Sequence, residues 1–440
     1  MEGLLSIGTE LVSECGNRYK VIKLLGSGGQ GEVYEVESVN KHYALKWYFK
    51  NSATDTQKRI LDNLIEKGSP TKNESKDIFL WPEDLIYKSP GEPFGYIMEL
   101  REKQYKGIVD LMKCRTNPSF HNLVKACYNL TKGYYKLHEQ GYQYRDISFG
   151  NAFFDPSTGD VKICDNDNVT YSGSQEGGVK GTPRFMAPEI VRGEAKPSRN
   201  TDRFSLAVLL FYMLMVSHPL EGKEEAKIKC MDPAAMLKLY GTNPVFIYDP
   251  DNSTNRPVSG YHDNAIIYWN MYPQYIKDLF IQSFTIGLNT PAKRVTENQW
   301  LDALSKLMSG IVKCQNCGAE VFFDDSKGKT GHTCWNCKKN IAIGSQILIG
   351  KGSKQFRIPM TLDTKLYSHH IHDNYDMTTI VGEVVANPKD PNKKGLRNLT
   401  SDNWTYIKPD GTQITVASGK AAAIVENVKI DFGSFEGVFE

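Results

Sequence analysis

Three oxygen-bearing side chains, Asp146, Asn151 and Asp165, are spread along one stretch, GYQYRDISFGNAFFDPSTGDVKICDNDNV, from Gly141 to Val169. Transfer of a phosphoryl group needs a carboxylate to orient the attacking hydroxyl and oxygen ligands to hold magnesium against the phosphates. A carboxylate and a carboxamide in one loop, then a second carboxylate after the hairpin FFDPSTGDVKIC, supply that set. Taken singly, each could equally be a loop residue bonding its own turn. A second signal is LLGSGGQGEVYEV, Leu24 to Val36, with Gly26, Gly28 and Gly31 in G-x-G-x-x-G-x-V spacing. Glycine this dense in a hairpin gives up backbone entropy and packing, so something must approach the backbone closely. A dinucleotide fold would open a helix here; instead EVYEVESVNKHYALKWYF reads as two more strands, with Lys46 inside YALK. The third signal is CQNC followed by CWNC: Cys314, Cys317, Cys334 and Cys337. Two thiolate pairs on tight turns complete a tetrahedron, the spacing of a zinc ribbon, and four sulfurs leave no open position, so such a site is structural. His332 is an alternative ligand.

These residues need elements to position them. After the strands, QKRILDNLIEKG has helical periodicity, and FGYIMEL, Phe94 to Leu100, reads as a further strand. SLAVLLFYMLMV from Ser205 is too short to cross a bilayer and reads as a buried core helix. The chain is strand-rich and then helix-rich to about 308, and carries the cysteine pairs over 309–342. Beyond 343, TTIVGEVVAN, WTYIKPDGTQITVA and AAAIVENVKIDFG, with the turn Pro409-Asp410-Gly411, read as an antiparallel β domain. At 440 residues the chain is too long for one ordinary core. A net charge of +2 gives no electrostatic case for nucleic acid or an anionic membrane. The N-terminus has no basic stretch followed by an apolar core. Nine cysteines, scattered apart from the cluster, argue for a reducing compartment and predict a cytoplasmic protein.

Taken together, glycine loop, Lys46, R-D-x-x-x-x-N at Arg145–Asn151 and Asp165 resemble the eukaryotic-like (Hanks-type) Ser/Thr protein kinase family. The resemblance extends to GTPRFMAPE, Gly181 to Glu189, to the helix beginning near Asp202, and to Arg294, which it pairs with Glu189. It implies ATP with magnesium or manganese, with Asp146 as catalytic base and Asn151 and Asp165 as metal ligands. It further implies that Lys46 is held by Glu66, although Glu66 could also be a solvated helix residue. Gly26, Ser27, Gly28, Gly29, Gly31, Val33 and Ala44 would cover the nucleotide, with Met98 as gatekeeper and Glu99 and Leu100 offering backbone groups to adenine.

Departures from the pattern carry their own expectations. Tyr144 replaces a histidine that mainly supports packing, and Ser148 replaces a lysine that contacts the transferred phosphate. D-F-G reads Asp165-Asn166-Asp167; Asn166 lacks the apolar packing of Phe, and Asp167 either adds a carboxylate near the metals or caps a turn. Arg145 could pair with a phosphate on Thr170, Tyr171, Ser172 or Ser174, and Thr182 lies in the substrate-facing loop. NLTSDNWTYI, the ending VENVKIDFG, Gly350-Lys351 and YSHHI near Ser368 loosely resemble a forkhead-associated domain, the β sandwich that binds phosphothreonine. A plain docking surface is the alternative.

The resulting expectation is an α+β chain: a bilobal kinase fold over 1–308 (lobes about 1–100 and 101–308), a zinc ribbon over 309–342, and a sandwich-like all-β domain over 343–440. Its function would be phosphorylation of protein serine or threonine, with the C-terminal domain recruiting a protein substrate or regulator and no nucleic acid or membrane partner. The rival is a nucleotide-binding pseudokinase that acts as a scaffold, motivated by Ser148 and the altered D-F-G.

Overall fold

Period-two alternation in the N-terminal strands decides which side chains share a face. The computed structural model describes residues 3–173, 181–328, 331–341, 343–352 and 354–440, so Ser174 lies outside the described residues. The chain divides into two units, Met1–Asn270 with Asp278–Leu301, and Met271–Lys277 with Asp302–Glu440.

The first unit begins with strands β1 (Glu10–Val12), β2 (Arg18–Ser27), β3 (Gly31–Ser38), β4 (Lys41–Tyr48), β5 (Asp84–Ile86) and β6 (Gly95–Glu99). They form one antiparallel sheet in the order β1-β2-β3-β4-β6-β5. Leu45 packs on one face with Val21, Tyr34, Val36 and Ile97. Ala44 and Tyr48 pack on the other with Leu80, Phe94, Tyr96 and Met98, so Lys46, between them in β4, shares that face. Register fixes its neighbour, since Lys46 stands opposite Tyr96 and Ala44 opposite Met98.

Helix α1 (Asp55–Lys67) starts where the Thr54 hydroxyl accepts from the Gln57 amide at 3.1 Å and stops at Gly68, whose φ of 73° suits glycine. Ile60, Leu61 and Leu64 form its buried stripe, and each such side chain taken from water contributes about 1.5–3 kcal/mol. The rest of the unit is built on two long helices, Phe120–Glu139 and Arg199–Met215, each capped by a serine, Ser119 and Ser198. From Phe204 to Met215 the second is buried at every position, as its unbroken apolar run predicts. Among the described residues no helix is long and apolar enough to cross a membrane.

In the second unit, strand Ile311–Lys313 pairs with Glu320–Phe322 beside the four cysteines. The remainder is β-rich. A six-stranded antiparallel sheet, which includes Gln346–Lys351, Trp404–Ile407 and Glu436–Phe439, faces a four-stranded one that includes Ile380–Asn387. Both contribute to one core, with Ile347, Ile358, Leu366, Leu396, Trp404 and Ile430. Gly411, at φ 84°, turns the hairpin between Trp404–Ile407 and Gln413–Val416, where the sequence has Pro-Asp-Gly.

Candidate active site

The loop carrying Asp146 is suspended from one buried carboxylate. Asp202, in the first turn of Arg199–Met215, accepts from the backbone amides of Tyr144 at 2.6 Å and Arg145 at 3.0 Å. His138 bridges Asp202, at 3.0 Å, to Glu297, at 2.8 Å, and Arg203 also pairs with Glu297. Burial disfavours the imidazolium, but hydrogen bonds and charge from Asp202 and Glu297 prevail and raise the His138 pKa above 6.5. Burial likewise works against the Glu297 carboxylate, yet bonds from His138 and Arg203 lower its pKa to about 2. These ties hold Arg145 at a φ of 75°, a left-handed conformation that a free chain would avoid. Tyr144 is fully buried against Tyr134, and its hydroxyl bonds the carbonyl of Cys164, joining this loop to the residue before Asp165.

Within the loop Asn151 Nδ2 donates to the carbonyl of Asp146 at 2.9 Å and to its Oδ2 at 3.2 Å. Its own carbonyl accepts from Cys164 N at 3.0 Å, which sets the end of the hairpin Ala152–Phe154/Val161–Ile163 beside it. Asp165 follows at a φ of 56° and reaches Lys46 Nζ at 3.3 Å. Asn151 with Asp146, and Lys46 with Asp165, thus form two contacting pairs that the backbone of Cys164, bonded to Asn151, joins. Thr182 donates its hydroxyl to Asp146 Oδ1 at 2.7 Å, so an alcohol at this carboxylate is already held by its proton. Ser148 is buried in the same loop.

Lys46 departs from the expectation. Glu66 is exposed near the end of α1, and Lys46 forms its ion pairs with Asp167, at 2.8 Å, and Asp165. The reason is helical phase: Gln57 faces this site, and nine residues, two and a half turns at about 3.6 per turn, put Glu66 on the opposite side. Gln57 Nε2 donates to the Asp167 carbonyl at 2.8 Å and to the Tyr48 hydroxyl at 3.2 Å. Asp167 is 0% exposed, and its carboxylate also accepts from the hydroxyls of Tyr48 and Tyr96. Its carboxylate is thus engaged by Lys46 and the two tyrosines and caps no turn. Burial alone would lower the Lys46 pKa, but Asp167 and then Asp165 outweigh it and raise that pKa. Asn166, in the place of an apolar Phe, donates Nδ2 to the carbonyls of Leu80 at 2.7 Å and Ile163 at 3.0 Å. A hydrogen-bonded anchor replaces packing.

The glycines of the loop between β2 and β3 divide by cause. A Cβ on Gly31 would sit 2.2 Å from the Trp47 carbonyl, so this glycine is required by the sheet itself. Gly26 and Gly29 would meet nothing within 4 Å, and Gly28 only the Gly31 carbonyl at 4.0 Å. Packing does not demand glycine there. Ser27 ends β2 in the same open loop. Gln30 reaches inward, accepting from Lys46 at 3.1 Å and donating to Asn168 at 3.2 Å. Val33, Ala44, Met98, Leu100 and Cys164 share one apolar cluster on the face that carries Lys46. Glu99 ends β6 and pairs by its side chain with Lys162 at 2.7 Å.

Glu189 and Arg294 pair as the resemblance implies, by two parallel bonds of 2.8 Å, with Arg294 2% exposed. Thr170 is buried, accepts from Gln143 and is closed to modification, whereas Tyr171 and Ser172 are exposed. In the second unit the sulfur atoms of Cys314, Cys317, Cys334 and Cys337 all lie within 4.8 Å of one another. Their turns repeat one geometry, with Gly318 N to Cys314 O at 2.8 Å and Lys338 N to Cys334 O at 3.0 Å. His332 instead accepts from Asp324 N at 2.9 Å and stacks on Phe323.

The sequence singled out Asp146, Asn151, Lys46 and the four cysteines, which lie in the clusters described, but not Gln30, Gln57 or the contacts of Asp167. A signal for Asp167 existed: a lysine on a buried strand face needs an anion, and a second carboxylate stood two positions after Asp165.

Comparison with known proteins matches residues 19–302 to the protein kinase domain. The chain is similar to "Probable serine/threonine-protein kinase CCRP1" of Zea mays, 27% identical over 51% of this chain and 35% of that protein. It is also similar to "Serine/threonine-protein kinase SRK2F" of Arabidopsis thaliana, 23% identical over 54% of this chain and 71% of that one. A shorter stretch, 21% of this chain and 14% of the other, is 37% identical to "Putative protein kinase C delta type homolog" of Drosophila melanogaster. The chain spans only about a third of the length of the first of these relatives. With the family's domain matched across more than half its residues, this chain belongs to the protein kinase family.

Proposed function

We propose that the chain is a serine/threonine protein kinase that uses magnesium ATP. The observation that carries this is the linkage of Lys46, Asp165, Asn151 and Asp146 beneath a loop whose glycines Gly26, Gly28 and Gly29 leave open space. The donor set fits the nucleotide: a charged amine, a carboxylate and a carboxamide oxygen, and an apolar patch of Val33, Ala44 and Met98 for a base. Bound magnesium ATP supplies the phosphoryl group and the charge neutralisation. The chain's residues do the rest. Lys46 binds phosphate oxygens, Asn151 and Asp165 hold the cation, and Asp146 orients an incoming hydroxyl and accepts its proton. The bond from Thr182 to Asp146 supports that last role, because it presents a hydroxyl to the same oxygen. The presence of Lys46, Asp146, Asn151 and Asp165 together, even with Ser148 in place of the family's lysine, favours transfer over scaffolding. Asp146→Asn in the full chain should cut phosphotransfer by about 10²–10⁴-fold while leaving ATP affinity within about twofold. Equal, background-level transfer by both proteins would overturn the reading.

The four-sulfur cluster supports a structural zinc ion held by Cys314, Cys317, Cys334 and Cys337. For the β-rich region we favour docking of a protein substrate or regulator over phosphothreonine capture. Ser368 and His370, in the YSHHI stretch that was part of that resemblance, are buried and engaged internally, Ser368 by Asn374 and His370 by Tyr367 N and Ser309.

A further inference from the structure

We propose that Asp167 is the positioning residue for Lys46, so that the segment Asn166–Asn168 and not the helix α1 fixes the phosphate-binding amine. This rests on the reading of Lys46 given above and adds which part of the fold controls it. In the usual arrangement a glutamate on the helix pairs with the lysine, and shifting that helix breaks the pair. Here α1 offers the neutral amide of Gln57, directed at the Asp167 carbonyl, and its three acidic residues, Asp55, Asp62 and Glu66, are all exposed. The carboxylate comes from the strand-following segment instead. It takes four hydrogen bonds: Lys46 at 3.0 Å on Oδ1 and 2.8 Å on Oδ2, Tyr96 on Oδ1 and Tyr48 on Oδ2. Its lone pairs are used up, which leaves the cation to Asp165, whose side chain is 38% exposed. The same segment reaches the glycine loop, since Asn168 accepts from Gln30, which in turn accepts from Lys46. Asn166 pins it to the carbonyls of Leu80 and Ile163 on either side. One anchored turn therefore holds the amine, the loop tip and the residue next to the metal-binding position. A displacement of α1 leaves the ionic partner of Lys46 in place.

The test compares the full chain with Asp167→Asn, Glu66→Gln and the double variant Asp167→Asn/Gln57→Glu, reading magnesium ADP affinity by calorimetry and kcat and KM for ATP. Asp167→Asn should weaken ADP binding and raise KM at least tenfold, and Glu66→Gln should change both less than twofold. Supplying a carboxylate from α1 beside the Tyr48 hydroxyl in the double variant should recover at least half of the lost affinity, which a purely structural role for Asp167 would not allow. If Asp167→Asn does not fold, Tyr96→Phe, which removes one bond to Oδ1, should shift affinity in the same direction by a few-fold. Unchanged affinity in the folded variants, or an equal loss in Glu66→Gln, overturns the proposal. Binding is read apart from transfer, so a wild type that binds ADP and transfers no phosphate would refute the kinase reading while the variants still decide the role of Asp167.

Discussion

At the scale of residues, the site shows how a side chain of the wrong type can hold a position by different physics. Asn166 stands where an apolar ring is usual, in a place with no exposure. A buried amide there would cost a few kcal/mol if its donors were idle. Its two donors instead meet the carbonyls of Leu80 and Ile163, the second of which also accepts from Leu80 N. Replacing it by an isosteric apolar residue, Asn166→Leu, should cost about 1–3 kcal/mol and speed amide exchange of the Leu80–Ile163 pair by roughly 5- to 150-fold. Exchange no faster than in wild type would show that the two bonds contribute nothing. Charge follows the same logic at Lys46. The lysine was legible from YALK, but its partner was not, because which anion neutralises a buried amine depends on which side chains the turn after Asp165 directs inward.

At the scale of elements, the loop carrying Asp146 is positioned by helices through a small charged cluster. His138 from Phe120–Glu139, Asp202 and Arg203 from Arg199–Met215, and Glu297 from Glu297–Ser309 meet with little exposure. The raised pKa of His138 makes its contribution to stability complete below the ordinary value of 6.5 and lost as pH rises through the folded value. The lowered pKa of Glu297 makes its contribution complete above 4.5 and lost as pH falls toward about 2. The cluster should therefore stabilise most between pH 4.5 and 6.5. Urea unfolding of wild type and His138→Gln across pH 5–9 should show a stability gap that is constant in the acid range and narrows as pH rises. A gap that stays flat to pH 9 would contradict this. The helix Arg199–Met215 was legible in the apolar run after Ser205; the meeting of His138, Asp202 and Glu297 was not, because they are separated by up to 159 residues.

At the scale of the whole molecule, two units carry different determinants of order. The first buries long helices and a six-stranded sheet. In the second, the segment around the cysteines has a small core of Val312, Val321, Phe323 and Ile341, too few side chains to hold two knuckles by burial alone. A bound ion should make up the difference. The purified chain should contain about one equivalent of zinc by mass spectrometry, and chelation or Cys314→Ser should accelerate amide exchange across 311–341 while exchange in β3 and β4 stays as it was. Full retention of protection after metal removal would show that the sulfur cluster needs no ion. What the sequence determined by itself is the chemistry that depends on short spacing: the thiol pairs, the glycine loop, Asp146 with Asn151, the strand alternation that turns Lys46 and Ala44 to one face, and the pairing of Glu189 with Arg294 that the family pattern carries. What the tertiary structure alone decided is which charges satisfy one another across distance, Asp167 in place of Glu66 above all. The reason is physical: local backbone geometry sets which way neighbouring side chains point, but the neutralisation of a buried charge is settled only when separate elements pack and one carboxylate lies within bonding distance while another, half a helical turn out of phase, faces water.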